Sequence, residues 1–291
     1  MQEVRIQAYG KVNLGLDITG RRPDGYHLVR MVMQTVRVFD DVTVSVLPDP
    51  EDAGEIHLSC DHPGIPSDSR NLAYQAALKV MDAREIPAGV RIDIKKRIPA
   101  QAGMAGGSAD AAAVIRGMDA CFSLSMSREE QDRIALSLGA DVPFCLRRGT
   151  YLAEGIGEKL ARLPDLPSCY MVIIKPDFGV STPWAYQRFD ELEIPKDGKE
   201  HPDIDRLIEA LRSGSIRSVA DSMGNILESV VIEEYPEIQH IKDSLVTYGA
   251  VKALMSGSGP TVFGIFNDEV KAQDAFMHLG GGKYGKFKVE F

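Results

Sequence analysis

Residues 99–113 read Pro-Ala-Gln-Ala-Gly-Met-Ala-Gly-Gly-Ser-Ala-Asp-Ala-Ala-Ala. Gly103, Gly106 and Gly107 lead straight into a run of alanines, so the most flexible residue type stands just before the best helix former. A loop whose backbone must be approached closely, followed by a helix that aims its first N–H groups and the positive end of its dipole at the same point, is a cradle for phosphate. The same residues would also make a plain strand-to-helix turn. Ser108 either caps the helix or offers its hydroxyl to a metal ion or a phosphate oxygen. The run is not a Walker A loop, since no Lys follows Gly107, and it is not G-x-G-x-x-G. Two further segments concentrate glycine and polar residues, 8–27 (with Arg-Arg-Pro-Asp-Gly-Tyr-His at its end) and 253–266 (with Ser-Gly-Ser-Gly-Pro).

The elements around these segments follow from hydrophobic periodicity. Val4, Ile6 and Ala8 alternate as a strand, and Pro23-Asp24-Gly25 is a turn signal. His27–Val36 and Asp41–Leu47 are two further strands, the second by alternation of Val42, Val44 and Val46. Residues 55–60 form a short strand and 71–83 a helix. Val90, Ile92 and Ile94 alternate and deliver the chain to the glycine loop. After the loop, Ala111, Val114, Ile115, Met118 and Phe122 recur at helical spacing. The loop therefore lies between a strand and a helix. Ser127 and Glu130 form a capping box for the next helix, with Gly139 at its end. Residues 170–175 are a buried strand, and 176–203 a long polar loop with some local helix. Residues 204–212, 219–231 and 237–249 read as helices, and 250–266 as strand, glycine turn, strand.

The 291 residues suit one large domain or two intimate ones. A formal net charge of −9 argues against a broad nucleic-acid surface and leaves room for a small anionic substrate in a locally basic cleft. The first ten residues are too polar for a signal peptide, and no apolar run approaches a membrane span, so a cytoplasmic protein is expected. Cys60, Cys121, Cys145 and Cys169 do not cluster, and the six histidines lack zinc spacing. The cysteines read as reduced core thiols.

The ordered trio of segments resembles the three motifs of the GHMP kinases. Lys11, Asn13, Leu14, Leu16 and the Arg-Arg-Pro-Asp-Gly-Tyr-His hairpin, with Gly-Ala-Asp-Val-Pro-Phe (139–144) and residues 153–160, resemble the branch that acts on a cytidyl diphosphate sugar alcohol. One departure is Ala109, where many members carry a second Ser or Thr. The resemblance implies an α+β fold of two domains, 1–163 and 164–291. The first would have a left-handed β-α-β crossover, an exception to the usual hand. The second would be ferredoxin-like.

The implied activity is ATP-dependent phosphorylation of the 2-hydroxyl of 4-diphosphocytidyl-2-C-methyl-D-erythritol, with Mg²⁺ bridging the phosphates; no acidic ligand for the metal stands out in the sequence. Residues Pro99, Ala100, Gln101, Ala102, Gly103, Met104, Ala105, Gly106, Gly107, Ser108 and Ala109 are implied to hold the triphosphate. Asn71 and Lys96 fall near the adenine. Asp141 would accept the alcohol proton, with Lys11 beside it. Asn13, Tyr26, His27, Thr182 and Tyr186 would bind the substrate, His27 by hydrogen bonding the cytosine and Tyr186 by stacking on it. Read singly, each has a plainer role: Asp141 as a helix cap, Lys11 as a solvated charge, Tyr26 as turn packing, Tyr186 as a loop anchor, His27 as a structural histidine. Other GHMP kinases, for mevalonate- or homoserine-type alcohols, and a non-catalytic nucleotide-binding relative are the competing readings. The partners expected are a small-molecule substrate, no nucleic acid and no membrane, with the protein a monomer or homodimer.

Overall fold

The computed structural model describes residues 2–192, 198, 201–279 and 285–291. In chain order the strands are β1 (Glu3–Arg21), β2 (His27–Leu47), β3 (Ile56–Cys60), β4 (Gly89–Lys95), β5 (Thr150–Gly155), β6 (Lys159–Arg162), β7 (Tyr170–Lys175), β8 (Gly224–Asn225), β9 (Lys252–Met255), β10 (Val262–Phe266) and β11 (Gly285–Glu290). The helices are α1 (Leu72–Arg84), α2 (Gly106–Cys121), α3 (Arg128–Leu138), α4 (Val142–Arg147), α5 (Thr182–Glu191), α6 (Ile204–Ser213), α7 (Ile216–Ser222), α8 (Glu228–Glu234), α9 (Glu237–Thr247) and α10 (Glu269–His278). They form two compact units built from interleaved segments, residues 2–10, 38–100 and 105–148 in one, and 11–37, 101–104 and the described residues from 149 onward in the other.

In the first unit β4 lies between β2 and β3. It pairs antiparallel with β2 from Asp41↔Lys95 to Leu47↔Gly89, and parallel with β3 from Ile56↔Val90 to Cys60↔Ile94. Helix α2 packs on this sheet by its small residues. Ala109, Ala111, Ala112, Ala113, Val114, Ile115 and Met118 are all buried. A Cβ on Gly117 would lie 2.6 Å from Val44 Cγ2, and the Cys121 thiol donates to the Val44 carbonyl at 3.2 Å. The alanine run is thus the buried face of a helix pressed close to a strand, where larger side chains would not fit.

In the second unit the first half of β2 pairs antiparallel with β5, from Val29↔Gly155 to Gln34↔Thr150. β5 turns back into β6, and β8 pairs parallel with β1 at Gly15↔Gly224 and Leu16↔Asn225. A separate antiparallel sheet has the order β11-β7-β10-β9. Taken in chain order those strands are fourth, first, third and second, the split β-α-β arrangement of ferredoxin-like domains. Its centre is apolar: Met171, Val172, Ile173, Val262, Phe263, Ile265 and Phe266 are fully buried.

Several expectations change. The two strands expected over 27–47 are one continuous β2. The helix expected over 219–231 is interrupted: α7 stops at Ser222, Gly224–Asn225 is extended against β1, and α8 begins at Glu228. Ser108 is not the cap of α2. Ala105 holds that position in left-handed conformation (φ 56°, ψ 35°) with no side-chain cap bond, and Ser108 lies in the first turn. Cys121, Cys145 and Cys169 are buried, whereas Cys60 is only half-buried. The long polar loop contains α5, and part of it (193–197, 199–200) lies outside the described residues. No described helix is long and apolar enough to cross a membrane.

Candidate active site

Lys11 and Asn13 stand two apart on β1 and therefore share a face. Both are buried, at 5% and 0% exposure, and the Lys11 ammonium donates to Asn13 Oδ1 at 2.7 Å. A cation taken this far from water is not the solvated charge that its sequence neighbourhood alone would suggest. The Lys11 backbone N–H donates to the Met104 carbonyl at 3.1 Å, which ties the strand to the start of the glycine loop.

The turn between β9 and β10 meets the same place. Ser256 Oγ accepts from the Asn13 N–H at 3.3 Å and donates to the Gly103 carbonyl at 3.1 Å. Gly103 has φ +68°, and a Cβ there would fall 2.3 Å from the Ser256 carbonyl oxygen. Gly257 has φ +58°, and its missing Cβ would face Gly103 O at 3.3 Å, Asn13 Oδ1 at 3.5 Å and Lys11 Nζ at 3.5 Å. The left-handed conformation favours glycine at both positions, and at Gly103 a Cβ has no room at all. Asn225, buried on β8, braces the turn by donating to the carbonyls of Met255 (2.9 Å) and Gly257 (2.8 Å). Parts of the three polar segments, Lys11–Asn13, Gly103–Met104 and Ser256–Gly257, thus meet inside one unit.

Helix α5 continues the site. Thr182, Tyr186 and Asp190 are four residues apart and lie on one helical face. Thr182 Oγ1 is 2.7 Å from Ser258 Oγ in the glycine turn. Tyr186 meets the His27 ring at a centroid distance of 4.8 Å, tilted 39°. His27 Nε2 is 2.7 Å from Asp190 Oδ1, and Asp190 Oδ2 is 3.1 Å from Arg21 Nη1. Tyr26 stands 62% exposed on the hairpin that Gly25 (φ +92°) closes.

The first unit carries the remaining candidates. The exposed Gly107 and half-buried Ser108 lie in the first turn of α2, which no side chain caps. The left-handed residues of the loop are Gln101, Gly103 and Ala105, not Gly106. A Cβ on Gly106 would face inward, 3.1 Å from Ile98 Cγ2 and 3.4 Å from Lys96 Nζ.

Lys96 is itself buried between Asp40 (2.5 Å) and Asp110 (2.6 Å). Burial alone would lower its pKa, but the two carboxylates raise it and keep it charged. Asp40 also accepts the backbone N–H groups of Arg97 and Ile98, so the cluster fixes the chain just before Pro99. Asp110 is pushed up to about 7, by burial first, with the Asp40 charge adding and Lys96 opposing. Its Oδ1 is buried without a hydrogen-bond partner.

Asn71 caps α1 by accepting from Ala73 N–H (2.9 Å) and donates to the Pro66 carbonyl (2.8 Å). The side chains of Lys96 and Asn71 are therefore committed to the protein. Asp141 precedes α4, yet its side chain makes no capping bond to that helix, so the plainer role does not describe it. Among the described residues no group of three or more His, Cys, Asp or Glu could hold a metal ion.

The family model for the GHMP kinases N terminal domain matches residues 71–149, and that for the GHMP kinases C terminal matches residues 207–279. The chain belongs to the GHMP kinases. This GHMP kinase is 47% identical over 269 residues to a 4-diphosphocytidyl-2-C-methyl-D-erythritol kinase of Lachnospira eligens, covering 92% of this chain and 91% of that protein. It is 43% identical over 286 residues to the kinase of the same name from Lachnoclostridium phytofermentans, covering 98% and 96%. Its fold matches a crystal structure of 4-(cytidine 5'-diphospho)-2C-methyl-D-erythritol kinase with a TM-score of 0.80 at 31% identity, over 99% of this chain and all of that one. The α+β, two-domain GHMP kinase architecture and the kinase activity expected from the motifs are therefore those of this chain.

Ser256, Asn225, Asp190 and Arg21 were not singled out from sequence. Ser256 and Arg21 sit inside motifs that were, and Asn225 and Asp190 have no local signature.

Proposed function

We propose that this GHMP kinase transfers the γ-phosphate of MgATP to the 2-hydroxyl of 4-diphosphocytidyl-2-C-methyl-D-erythritol, giving the 2-phosphate and ADP. The observation that carries the substrate is the aromatic and polar cluster of His27, Tyr186 and Asp190, on the α5 face whose Thr182 touches the Ser258 glycine turn. It offers a flat base a ring to stack on and a histidine edge to bond. The names of relatives 43–47% identical to nearly the whole chain point the same way.

In this reading the substrate oxygen attacks the γ-phosphorus, the bond from that phosphorus to the β–γ bridging oxygen breaks, and ADP leaves with its metal. The alcohol proton passes to the Asp141 carboxylate. Lys11, held by Asn13, stabilises the charge that spreads over the transferring phosphoryl group. The open first turn of α2, with Gly107 and Ser108, receives the phosphates. Mg²⁺ comes with the triphosphate as part of the substrate. Asn71 and Lys96 act by holding the backbone near the adenine, since their side chains are engaged within the protein. Placement of the enzyme in the cytoplasm goes with this role, as does a division into 1–163 and 164–291 that keeps each family-model match on its own side, although the compact units interleave across it.

An ADP-release assay over the diphosphocytidyl alcohol, mevalonate and homoserine tests the proposal. Turnover confined to the first supports it, and turnover of mevalonate or homoserine without the first overturns it.

A further inference from the structure

We infer that Asp190 is a specificity-determining positioning residue, which fixes the proton of His27 on Nε2 and so turns the His27 Nδ1 edge into a hydrogen-bond acceptor. The inference rests on the base-binding role of His27 proposed above. A carboxylate oxygen can only accept, so at 2.7 Å from Asp190 Oδ1 the His27 Nε2 must carry the hydrogen. In the neutral ring the other nitrogen is then a lone-pair acceptor. An acceptor edge suits the exocyclic amino group of cytosine, a donor, and opposes the carbonyl oxygen that replaces it in uracil.

Two further contacts favour this state. Arg21 Nη1, 3.1 Å from Asp190 Oδ2, holds the carboxylate by its other oxygen and leaves Oδ1 turned to the His27 ring. Tyr186, 4.8 Å from the His27 ring, limits its rotation. The three groups come from separate elements, β1, the start of β2 and α5. The plainer reading is a stabilising surface ion pair. Asp190 retains 32% side-chain exposure, and pairs that open to water contribute little to stability. That role would leave substrate choice unmoved.

The test is steady-state kinetics of Asp190→Ala and His27→Ala with the cytidyl substrate, its uridyl analogue and ATP. It is paired with nitrogen chemical shifts of the His27 ring in the unsubstituted protein. D190A is expected to raise KM for the cytidyl substrate roughly 10-fold, the scale of one lost hydrogen bond. The cytidyl-over-uridyl preference should fall by a similar factor, with kcat and the ATP KM within about twofold of the parent values. The shifts should show the Nε2–H form. Unchanged preference in D190A while H27A loses it overturns the role of Asp190 and leaves the base-binding role of His27 standing. Unchanged cytidyl KM in H27A overturns both. If D190A does not fold, an Nδ1–H ring in the parent protein overturns the inference by itself.

Discussion

Ser256 Oγ donates to the Gly103 carbonyl at 3.1 Å while accepting the Asn13 N–H at 3.3 Å. One hydroxyl thereby ties Asn13 on β1 and Gly103 in the loop to the turn between β9 and β10. Ser256→Ala should leave both partners without it, at a cost of about 1–3 kcal/mol in stability. Because Gly103 opens the phosphate loop, the ATP KM should rise as well, while the cytidyl KM stays near normal. Thermal unfolding and the two KM values check this. An unchanged ATP KM would mean that the hydroxyl only holds the fold.

The glycines of the loop should respond in opposite ways. Gly103→Ala places a methyl 2.3 Å from the Ser256 carbonyl at φ +68°, so it should lower the melting temperature severely. At Gly107 a Cβ has only an ordinary contact, Leu72 Cδ1 at 3.7 Å. Gly107→Ala should therefore keep or slightly raise stability, since Ala is favoured over Gly in a helix by up to about 1 kcal/mol. It should still weaken ATP roughly 10-fold by crowding the backbone that the phosphates approach. Full ATP affinity in G107A would remove the phosphate role from that turn.

Asp141→Asn should lower kcat by roughly 10²-fold or more with little change in the ATP KM, the scale for losing a general base. Lys11→Ala should also lower kcat strongly, and the double variant should lose less than the product of the two, as residues acting on one step do. Near-normal turnover in D141N would leave Asp141 without a catalytic role.

Asp110 gives the protein a pH signature. Its pKa in the fold, about 7, lies above its ordinary value of 3.8. The folded state therefore holds this proton more tightly than the unfolded chain. The resulting stabilisation is complete below about pH 4 and is lost as pH rises through about 7. Asp110→Asn, which cannot ionise, should flatten that part of the stability curve. Chemical denaturation of both proteins from pH 5 to 8 checks it, and parallel curves would contradict it.

Much of this was legible in the sequence. Glycine before alanine announced a strand, loop and helix because flexibility and helix propensity change abruptly there. Lys11, Asn13 and Gly257 stood in recognisable segments. The strands read over 27–36 and 41–47 left residues 37–40 unassigned, and the structure carries β2 straight through them into the adjacent charges Asp40 and Asp41. Here Asp40 is neutralised by Lys96 and two backbone N–H groups, and Asp41 by Arg5 and Arg97. All four of these residues lie at a distance in sequence, so β2 runs on unbroken. The apolar spacing of 219–231 hid the extended Gly224–Asn225, which exists because Asn225 braces a turn thirty residues later. Helix α10 and β11 carried weaker signals, the cap at Asp268 and the alternation of residues 286–290, and were not read.

The substrate itself is the most direct test. Phosphorus NMR of a reaction containing this protein, MgATP and 4-diphosphocytidyl-2-C-methyl-D-erythritol should show one new phosphomonoester coupled to C2 of the erythritol, formed in step with ADP. Phosphate on another hydroxyl, or ATP left intact with this alcohol while mevalonate or homoserine is consumed, would contradict it.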